Sequence, residues 1–347
     1  MIKNFNKIIR ARAPLRLGLA GGGTDVSPYC DQFGGLIVNT TIDRYAYAII
    51  KIIPERKVKL ISSDHNLSIE KFFDKPFNDE NQLLLHQAVY RHMIKEYNKN
   101  QDIAVELSTF CDAPAGSGLG SSSTLVVSMI KVFLKFFNVE IDNYNIAKLA
   151  YKIERIDCQL GGGKQDQYSA TFGGFNYMEF GKNGDVIVSP ILLNDWVVSE
   201  LEASLLLFYT GVSRSSAAII SEQSQNVELN NTESIKAMHA IKEEALLMKS
   251  NLLNANFSGL IESMQIGWQN KKKIAKNVSN EYLDQIFDKA IEAGASAGKI
   301  SGAGGGGFFM FFVPTENRMN VVRVLSQFDG QISNCHFTNK GAEAWTL

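Results

Sequence analysis

Four cysteines, Cys30, Cys111, Cys158 and Cys335, are spread through the 347 residues with no CxxC pair among them. That spacing supports neither a zinc ribbon nor a disulfide framework, and reduced thiols in a cytoplasmic protein are the simpler expectation. The five histidines show no HExxH or comparable ligand spacing, so any metal chemistry should use oxygen ligands. An excess of one charge is missing as well: 35 basic residues face 36 acidic ones, a formal net charge of −1. Nucleic acid and membrane surfaces both select a basic excess, so neither is expected as a partner. No run approaches the ~18 apolar residues of a membrane span. The opening MIKNFNKIIRARAP has charge but neither a long apolar core nor a small-residue cleavage site, so no secretory leader is expected. Internal repeats and low-complexity linkers are also absent.

The composition is that of a globular protein, 45% hydrophobic and 20% charged, in a chain long enough for two domains. β-Branched and aromatic residues dominate 36–61 and predict strands interrupted near Pro54. Residues 80–98 read as a helix, and IAVELSTF (103–110) as a strand running into a glycine- and serine-rich loop. The segment from Ser121 to about Phe137 has helical length, with serines at its start as candidate caps. Ile146, Leu149, Ala150, Ile153 and Ile156 place one apolar face on a helix over 143–157. Further on, ASLLLFYTG (203–211) reads as a strand, a helical region covers about 215–276, and a helix runs from about Ser279 to Gly294. FFMFFV (308–313) is a strongly apolar strand, and the run Lys271–Lys273 reads as a solvated helix face. These patterns describe an α+β chain of two domains, 1–195 and 196–347.

Glycine is concentrated in RAPLRLGLAGGGTD (Arg12–Asp25), PAGSGLGSSST (Pro114–Thr124) and KISGAGGGGFFMFF (Lys299–Phe312). Glycine is costly to order, so its density in the second cluster implies something lying against that backbone. Residues without Cβ let main-chain N–H groups approach an anion. A helix starting where the loop ends adds unpaired N–H groups and the positive end of its dipole. The serine hydroxyls can cap that helix or ligate a magnesium ion held by phosphate oxygens. A ligand-free strand-to-helix turn is the plainer alternative. The P-loop pattern GxxxxGK[ST] is absent, because Gln165 follows Gly163-Lys164 and Ile300 follows Gly298-Lys299. GxGxxG occurs at Gly302, Gly304 and Gly307, but the strand comes after it, so the dinucleotide match is only formal. Four glycines before a buried strand can also serve close backbone packing.

In their order along the chain, the three clusters resemble the motifs of the GHMP small-molecule kinases, which include galactokinase, homoserine kinase, mevalonate kinase and phosphomevalonate kinase. PAGSGLGSSS is similar to that family's central phosphate loop, PxxxGLGSS; the other two clusters are similar to its N-terminal and C-terminal motifs. The resemblance implies a two-domain α+β fold. Its N-terminal half would be like domain 2 of ribosomal protein S5 and bind ATP, and its C-terminal half a ferredoxin-like α/β sandwich. ATP and Mg2+ are the implied cofactors and a small-molecule sugar phosphate the implied acceptor, for a monomer or homodimer in the cytoplasm. LGLAGGGTDVSPY, GGLIVNTTID (34–43) and GGGKQDQYSATFGGFN (161–176) resemble the branch that phosphorylates the anomeric hydroxyl of heptose 7-phosphate. Galactokinases usually carry a glutamate and a histidine where Gly22 and Gly23 stand, and the glycines leave room for a bulkier sugar. Another sugar 1-kinase, fucokinase- or galactokinase-like, and a non-catalytic nucleotide-gated sugar sensor stay open as alternatives.

The same resemblance implies roles for individual residues. Pro114, Gly116, Ser117, Gly118, Leu119, Gly120, Ser121, Ser122 and Ser123 would follow the polyphosphate of the nucleotide. Asp166 matches the aspartate near the acceptor hydroxyl, and its polar turn suits a group that orients a hydroxyl and accepts its proton. A capping or solvated aspartate is the alternative. Glu154 matches the glutamate that shares magnesium with Ser122, with Ser121 or Ser123 as substitutes; an ordinary boundary acid paired with Arg155 is the other reading. Arg16 matches a basic residue close to the catalytic aspartate, where it can offset charge on a moving phosphoryl group. Asp25 matches a sugar-hydroxyl ligand beside Gly22, Gly23 and Thr24, although an Asx turn explains it nearly as well. Arg214, followed by Ser215 and Ser216, suits the anionic end of the acceptor, and Lys164 is a second candidate. Gly163 and Gly304 complete the expected acceptor side.

Overall fold

Two β-sheets carry the fold in the computed structural model, which describes residues 7–79, 81–212 and 216–347. The first sheet begins with β1 (Ile8–Ala20), β2 (Gly35–Ile52), β3 (Lys57–Ser62), β4 (Leu67–Phe72) and β5 (Val105–Cys111). It is extended by β6 (Phe175–Phe180) and β7 (Val186–Pro190). The second sheet is built from β8 (Leu205–Tyr209), β9 (Ala297–Ile300), β10 (Phe308–Phe312) and β11 (Gln331–Asn334). A final strand, β12 (Glu343–Thr346), leaves the second half of the chain and pairs with β1. The helices of the first half are α1 (Tyr29–Phe33), α2 (Leu84–Tyr97), α3 (Ser121–Phe137), α4 (Asn143–Tyr151), α5 (Gln165–Phe172) and α6 (Asp195–Ser204). Those of the second half are α7 (Ser216–Glu228), α8 (Thr232–Leu253), α9 (Phe257–Ile274), α10 (Glu281–Glu292) and α11 (Arg318–Leu325).

β2 organises the first sheet because its 18 residues serve two neighbours on one edge. Its first part pairs with β6 and its last part with β5, while β1 runs antiparallel along the other edge. Ile9, Ala11, Ala13, Ala48 and Ile50 pack under α2 and α3 in one core, whereas Leu15, Leu17, Leu19 and Val38 feed a second core shared with the other sheet. In the second sheet the spatial order is β11-β8-β10-β9, all antiparallel, which with its connecting helices is the ferredoxin-like βαββαβ arrangement. Phe308, Met310 and Phe312 face the shared core, and Phe309 and Phe311 face a third core under α8 and α10. Burial on both faces is why this strand reads as an unbroken apolar run.

Two helical expectations change. The region 215–276 is three helices, because Asn231 and Asn256 each turn the chain and accept N–H groups from the first turn that follows. The expected helix over 143–157 is α-helical only to Tyr151 and then winds as a π-turn over Lys152–Asp157, with the Cys158 N–H donating to the Ile153 carbonyl at 3.0 Å. The wider winding breaks the 3.6-residue phase, and Ile156 ends 59% exposed instead of on the apolar face.

His86 of α2 is buried against β5, with Nε2 2.7 Å from Thr109 Oγ1. Burial lowers its imidazole from an ordinary 6.5 to about 4. The unfolded chain therefore gains a proton as pH falls through 6.5 that the folded chain takes only near 4, and stability is lost across that window. Denaturant melts at pH 7 and 4.5 should show wild type losing about 2 kcal/mol more than His86→Gln over that interval. Equal losses in the two proteins would contradict the assignment.

Candidate functional site

Pro14 cannot donate to the β1–β2 ladder, and the pairing register shifts between Pro14 and Arg16. That irregularity precedes Arg16, which is only 4% exposed although it carries a full charge. Its Nε donates to Asp166 Oδ1 at 2.7 Å, and its Nη1 donates to the Gly118 carbonyl and to Ser301 Oγ, the latter at 3.1 Å. The Arg16 main-chain N–H donates to the Leu119 carbonyl at 3.1 Å. One residue of the first glycine cluster thus holds the second and third clusters and the Asp166 turn.

The second and third clusters interlock through their backbones. Gly118 has φ +80°, and a Cβ there would lie 2.2 Å from the Ser301 carbonyl oxygen. A Cβ on Gly307 would lie 2.3 Å from the Ser117 carbonyl oxygen, which accepts the Phe308 N–H at 3.0 Å. The GxGxxG spacing at Gly302, Gly304 and Gly307 joins two antiparallel strands, with no helix after it. Gly304 itself packs on Val278, where a Cβ would lie 2.8 Å from the carbonyl oxygen, and does not line the cleft. Of the second cluster, Gly116, Gly118, Gly120, Ser121, Ser122 and Ser123 line the cleft, a space of roughly 270 Å³. Pro114, Ser117 and Leu119 do not: the Pro114 carbonyl accepts the Ser117 N–H, and Ser117 and Leu119 are buried in protein.

α3 starts after Gly120, whose φ of +76° closes the loop, and no side chain caps its first turn. The serines expected as caps turn elsewhere. Ser122 Oγ donates to Glu154 Oε1 at 2.7 Å and Ser123 Oγ to Glu154 Oε2 at 2.6 Å. Gln167 Nε2 donates to the same Oε2 at 2.7 Å, and the Arg155 guanidinium lies 3.3 Å from Oε1. Glu154 is fully buried in the π-turn, so four neighbours fix its carboxylate at the cleft wall. Among the described residues no cluster of three His, Cys, Asp or Glu side chains exists. One carboxylate beside one hydroxyl, at the mouth of an uncapped helix, is nonetheless a donor set that suits magnesium, which takes its other oxygens from phosphates and water. The Arg155 guanidinium continues over the next turn, donating to the Gly161 carbonyl at 3.0 Å.

Asp25 is buried and accepts the Gln165 N–H at 2.9 Å on Oδ2. Burial raises its carboxyl above the ordinary range and the nearby Asp166 charge adds to this, against the Gln165 N–H, which lowers it. Gly163 makes the cradle, since a Cβ there would lie 1.9 Å from Asp25 Oδ2. Thr24 faces protein: its Oγ1 donates to the Gly21 carbonyl at 2.8 Å and accepts the Leu36 N–H at 3.0 Å. Gly23 lines the cleft and Gly22 sits just behind it. Lys164 is absent from the cleft wall, with its ammonium 5.8 Å from the Tyr151 ring. Arg214 lies outside the described residues.

Lys271 is not on a solvated face. It is 4% exposed, lines the cleft, and donates to the Gly22 carbonyl at 2.9 Å. Gln223 also lines the cleft and donates to the Gly23 carbonyl at 2.8 Å. The signal for Lys271 was the spacing of its helix: Leu260, Met264, Gly267, Trp268 and Ile274 are its buried face, and position 271 falls on that face. Nothing local to Gln223 marked it.

Two family models match the chain, the N-terminal domain of the GHMP kinases over residues 84–174 and the GHMP kinase C-terminal domain over residues 248–329. A D-glycero-α-D-manno-heptose 7-phosphate kinase from Campylobacter jejuni is 41% identical over 98% of this chain and all of its own length. The crystal structure of a D-glycero-D-manno-heptose 1-phosphate kinase from Bacteroides thetaiotaomicron is 39% identical and superposes with a TM-score of 0.83 over 98% of this chain and 99% of that one. A galactokinase from Lactococcus lactis, 18% identical with a TM-score of 0.77 over 99% of this chain and 96% of its own, shares the fold.

The interlock of the two loops is measurable. Gly118→Ala meets both a left-handed backbone and the Ser301 carbonyl, whereas Gly184 has φ +85° with nothing within 4 Å of its Cβ position. Denaturant unfolding should show about 1–2 kcal/mol lost for Gly184→Ala and clearly more for Gly118→Ala. Equal losses would mean the contact with Ser301 is not tight.

Proposed function

Because the chain belongs to the GHMP kinase family, we propose that it transfers the γ-phosphoryl group of ATP to the anomeric hydroxyl of a heptose 7-phosphate, giving the 1,7-bisphosphate. Kinase activity is the family's chemistry; the acceptor, the position phosphorylated and the residue roles are the proposal. The observation that carries it is an uncapped helix N-terminus with two fixed carboxylates beside it, Glu154 bonded to Ser122 and Asp166 next to Gly120. A polyphosphate supplies the negative charge that such a terminus attracts. The names of the two relatives near 40% identity agree on a heptose and a phosphate and differ in the carbon. Both match over nearly their whole length, and we take the 7-phosphate as acceptor on the resemblance of LGLAGGGTDVSPY, GGLIVNTTID and GGGKQDQYSATFGGFN to that branch.

The amides of Gly116, Gly118 and Gly120 to Ser123 hold the phosphates along the cleft wall, and Asp25 with the Gly163 turn holds sugar hydroxyls. Asp166, fixed on Oδ1 by Arg16, uses its other oxygen to orient the acceptor hydroxyl and to take its proton. The bond from the γ-phosphorus to the β,γ-bridging oxygen breaks as the bond to the sugar oxygen forms, and ADP leaves with the electron pair. Arg16 offsets charge on the transferring group. Glu154 and Ser122, already bonded to each other, would hold magnesium, which would supply charge neutralisation at the phosphates. Residues 1–195 would hold the nucleotide and 196–347 close the acceptor side, in a cytoplasmic monomer or homodimer. The product would feed a nucleotide-activated heptose.

A coupled ADP-release assay across heptose 7-phosphate, heptose, fucose and galactose tests this reading. Turnover should be highest with heptose 7-phosphate, and Asp166→Asn should lower kcat by about 10²- to 10⁴-fold with ATP affinity kept. Preference for fucose would replace the acceptor, and tight ATP binding without turnover on any sugar would favour a sensor. In the same assay Gly163→Ala, which displaces Asp25, should lower kcat/KM for the acceptor by about 10²-fold and leave ATP affinity unchanged. Weakened ATP binding in that variant would move Asp25 to the nucleotide.

A further inference from the structure

Lys271 is a cation that the mechanism above does not use. It is buried on the inner face of α9, yet its ammonium reaches the cleft wall on the side of Asp25. Only one of its three N–H donors is taken, by the Gly22 carbonyl at 2.9 Å, and no carboxylate among the described residues lies within 4.0 Å of it. A second lysine lies in the cluster beneath the loop. Lys299 donates to the Leu19 carbonyl at 2.9 Å, and the acids that face this group are Asp25 and Glu244, the latter with its Oε2 accepting the Gly21 N–H at 3.4 Å and its Oε1 unpartnered. Burial, reinforced by the charge of Lys299 and opposed by Asp25, lowers the Lys271 ammonium to about 7. A desolvated cation with no carboxylate in direct contact is costly to keep, and a bound dianion would lower that cost.

The two glycines of the first cluster make its position possible. A Cβ on Gly22 would lie 3.4 Å from Lys271 Nζ, and one on Gly23 would lie 3.1 Å from Gln223 Oε1. Side chains of α9 and α7 thus occupy the space that side chains at 22 and 23 would take. Lys271 and Gln223 bring polar groups of the second half of the chain to the cleft beside Asp25. Arg16, which bonds Asp166, also holds Gly118 and Leu119 of the loop before α3, and Lys271 and the uncapped end of α3 line the same cleft.

We propose that Lys271 receives the phosphate carried by the acceptor sugar, making it a specificity-determining residue. The proposal rests on the kinase reading with a phosphorylated acceptor. A phosphate oxygen is the shared chemistry, and the γ-phosphate of ATP is its other possible source, so the test separates the two. Wild type, Lys271→Met and Lys271→Arg are compared in steady-state kinetics on heptose 7-phosphate and on heptose, and in calorimetric binding of a non-hydrolysable ATP analogue.

Lys271→Met should lower kcat/KM for heptose 7-phosphate by about 10- to 100-fold, through KM, with Lys271→Arg recovering most of the loss. Its kcat/KM on heptose and its affinity for the ATP analogue should stay within about threefold of wild type. Equal loss on both acceptors would show that Lys271 only supports the Gly22 loop, and a loss of analogue affinity would assign it to the donor phosphate. Either result overturns the proposal while leaving the kinase reading intact. A wild-type protein with no turnover on sugar phosphates overturns that reading and the proposal with it. If the methionine variant does not fold, Lys271→Gln, which retains an N–H donor for the Gly22 carbonyl, carries the same comparison.

Discussion

Arg16 is buried where three loops meet, and its donors are divided between the Asp166 carboxylate, the Gly118 carbonyl and the Ser301 hydroxyl. A charge with so little exposure is tolerated only when paired and fully hydrogen-bonded, and removing one partner leaves the costly half behind. The geometry of the site follows from that requirement. The bond to Asp166 aims the carboxylate at the end of α3, and the bond to Gly118 holds the phosphate loop against the third glycine cluster. The interlocking glycines then allow the backbone approach that keeps Arg16 enclosed.

Charge alternates across the cleft. The N-terminus of α3, Arg16, Arg155 and Lys271 are positive, and Glu154, Asp25 and Asp166 are negative, each anchored by at least one hydrogen bond or ion pair. Such a surface offers positive groups to a polyanion and fixed carboxylates to hydroxyls, the arrangement by which preorganised sites stabilise a transferring phosphoryl group. The Glu154 carboxylate illustrates the investment: the helix departs from α-geometry around it, and two serines that would ordinarily cap α3 are directed to it instead. Freed from side-chain caps, the first turn of α3 keeps its amides available for a ligand.

The glycine clusters, their order, the length of α3 and the doubly buried strand Phe308–Phe312 were readable from composition and spacing, because each is a local pattern. Arg16, Asp25, Glu154 and Asp166 were singled out through the motifs, and the fold brings them to one cleft. Lys271 was misread because three consecutive lysines look solvated; the apolar spacing of the same helix carried the opposite information and is the stronger signal. Lys164 was proposed as a cation for the acceptor phosphate and Gly304 through the third glycine cluster; the first lies by the Tyr151 ring and the second packs on Val278, and neither lines the cleft. The roles of Ser122 and Ser123 as Glu154 donors, the reach of Gln223 and the return of β12 to the first sheet depend on contacts more than 30 residues apart in sequence, which no local pattern encodes.

Amide hydrogen exchange over residues 114–124, with and without a non-hydrolysable ATP analogue and magnesium, bears most directly on whether main-chain N–H groups grip the polyphosphate. Exchange at Gly116, Gly118 and Gly120 to Ser123 should slow sharply at saturating analogue. An analogue shown by calorimetry to bind while those amides exchange at an unchanged rate would contradict the phosphate cradle and, with it, the placement of the reaction in this cleft.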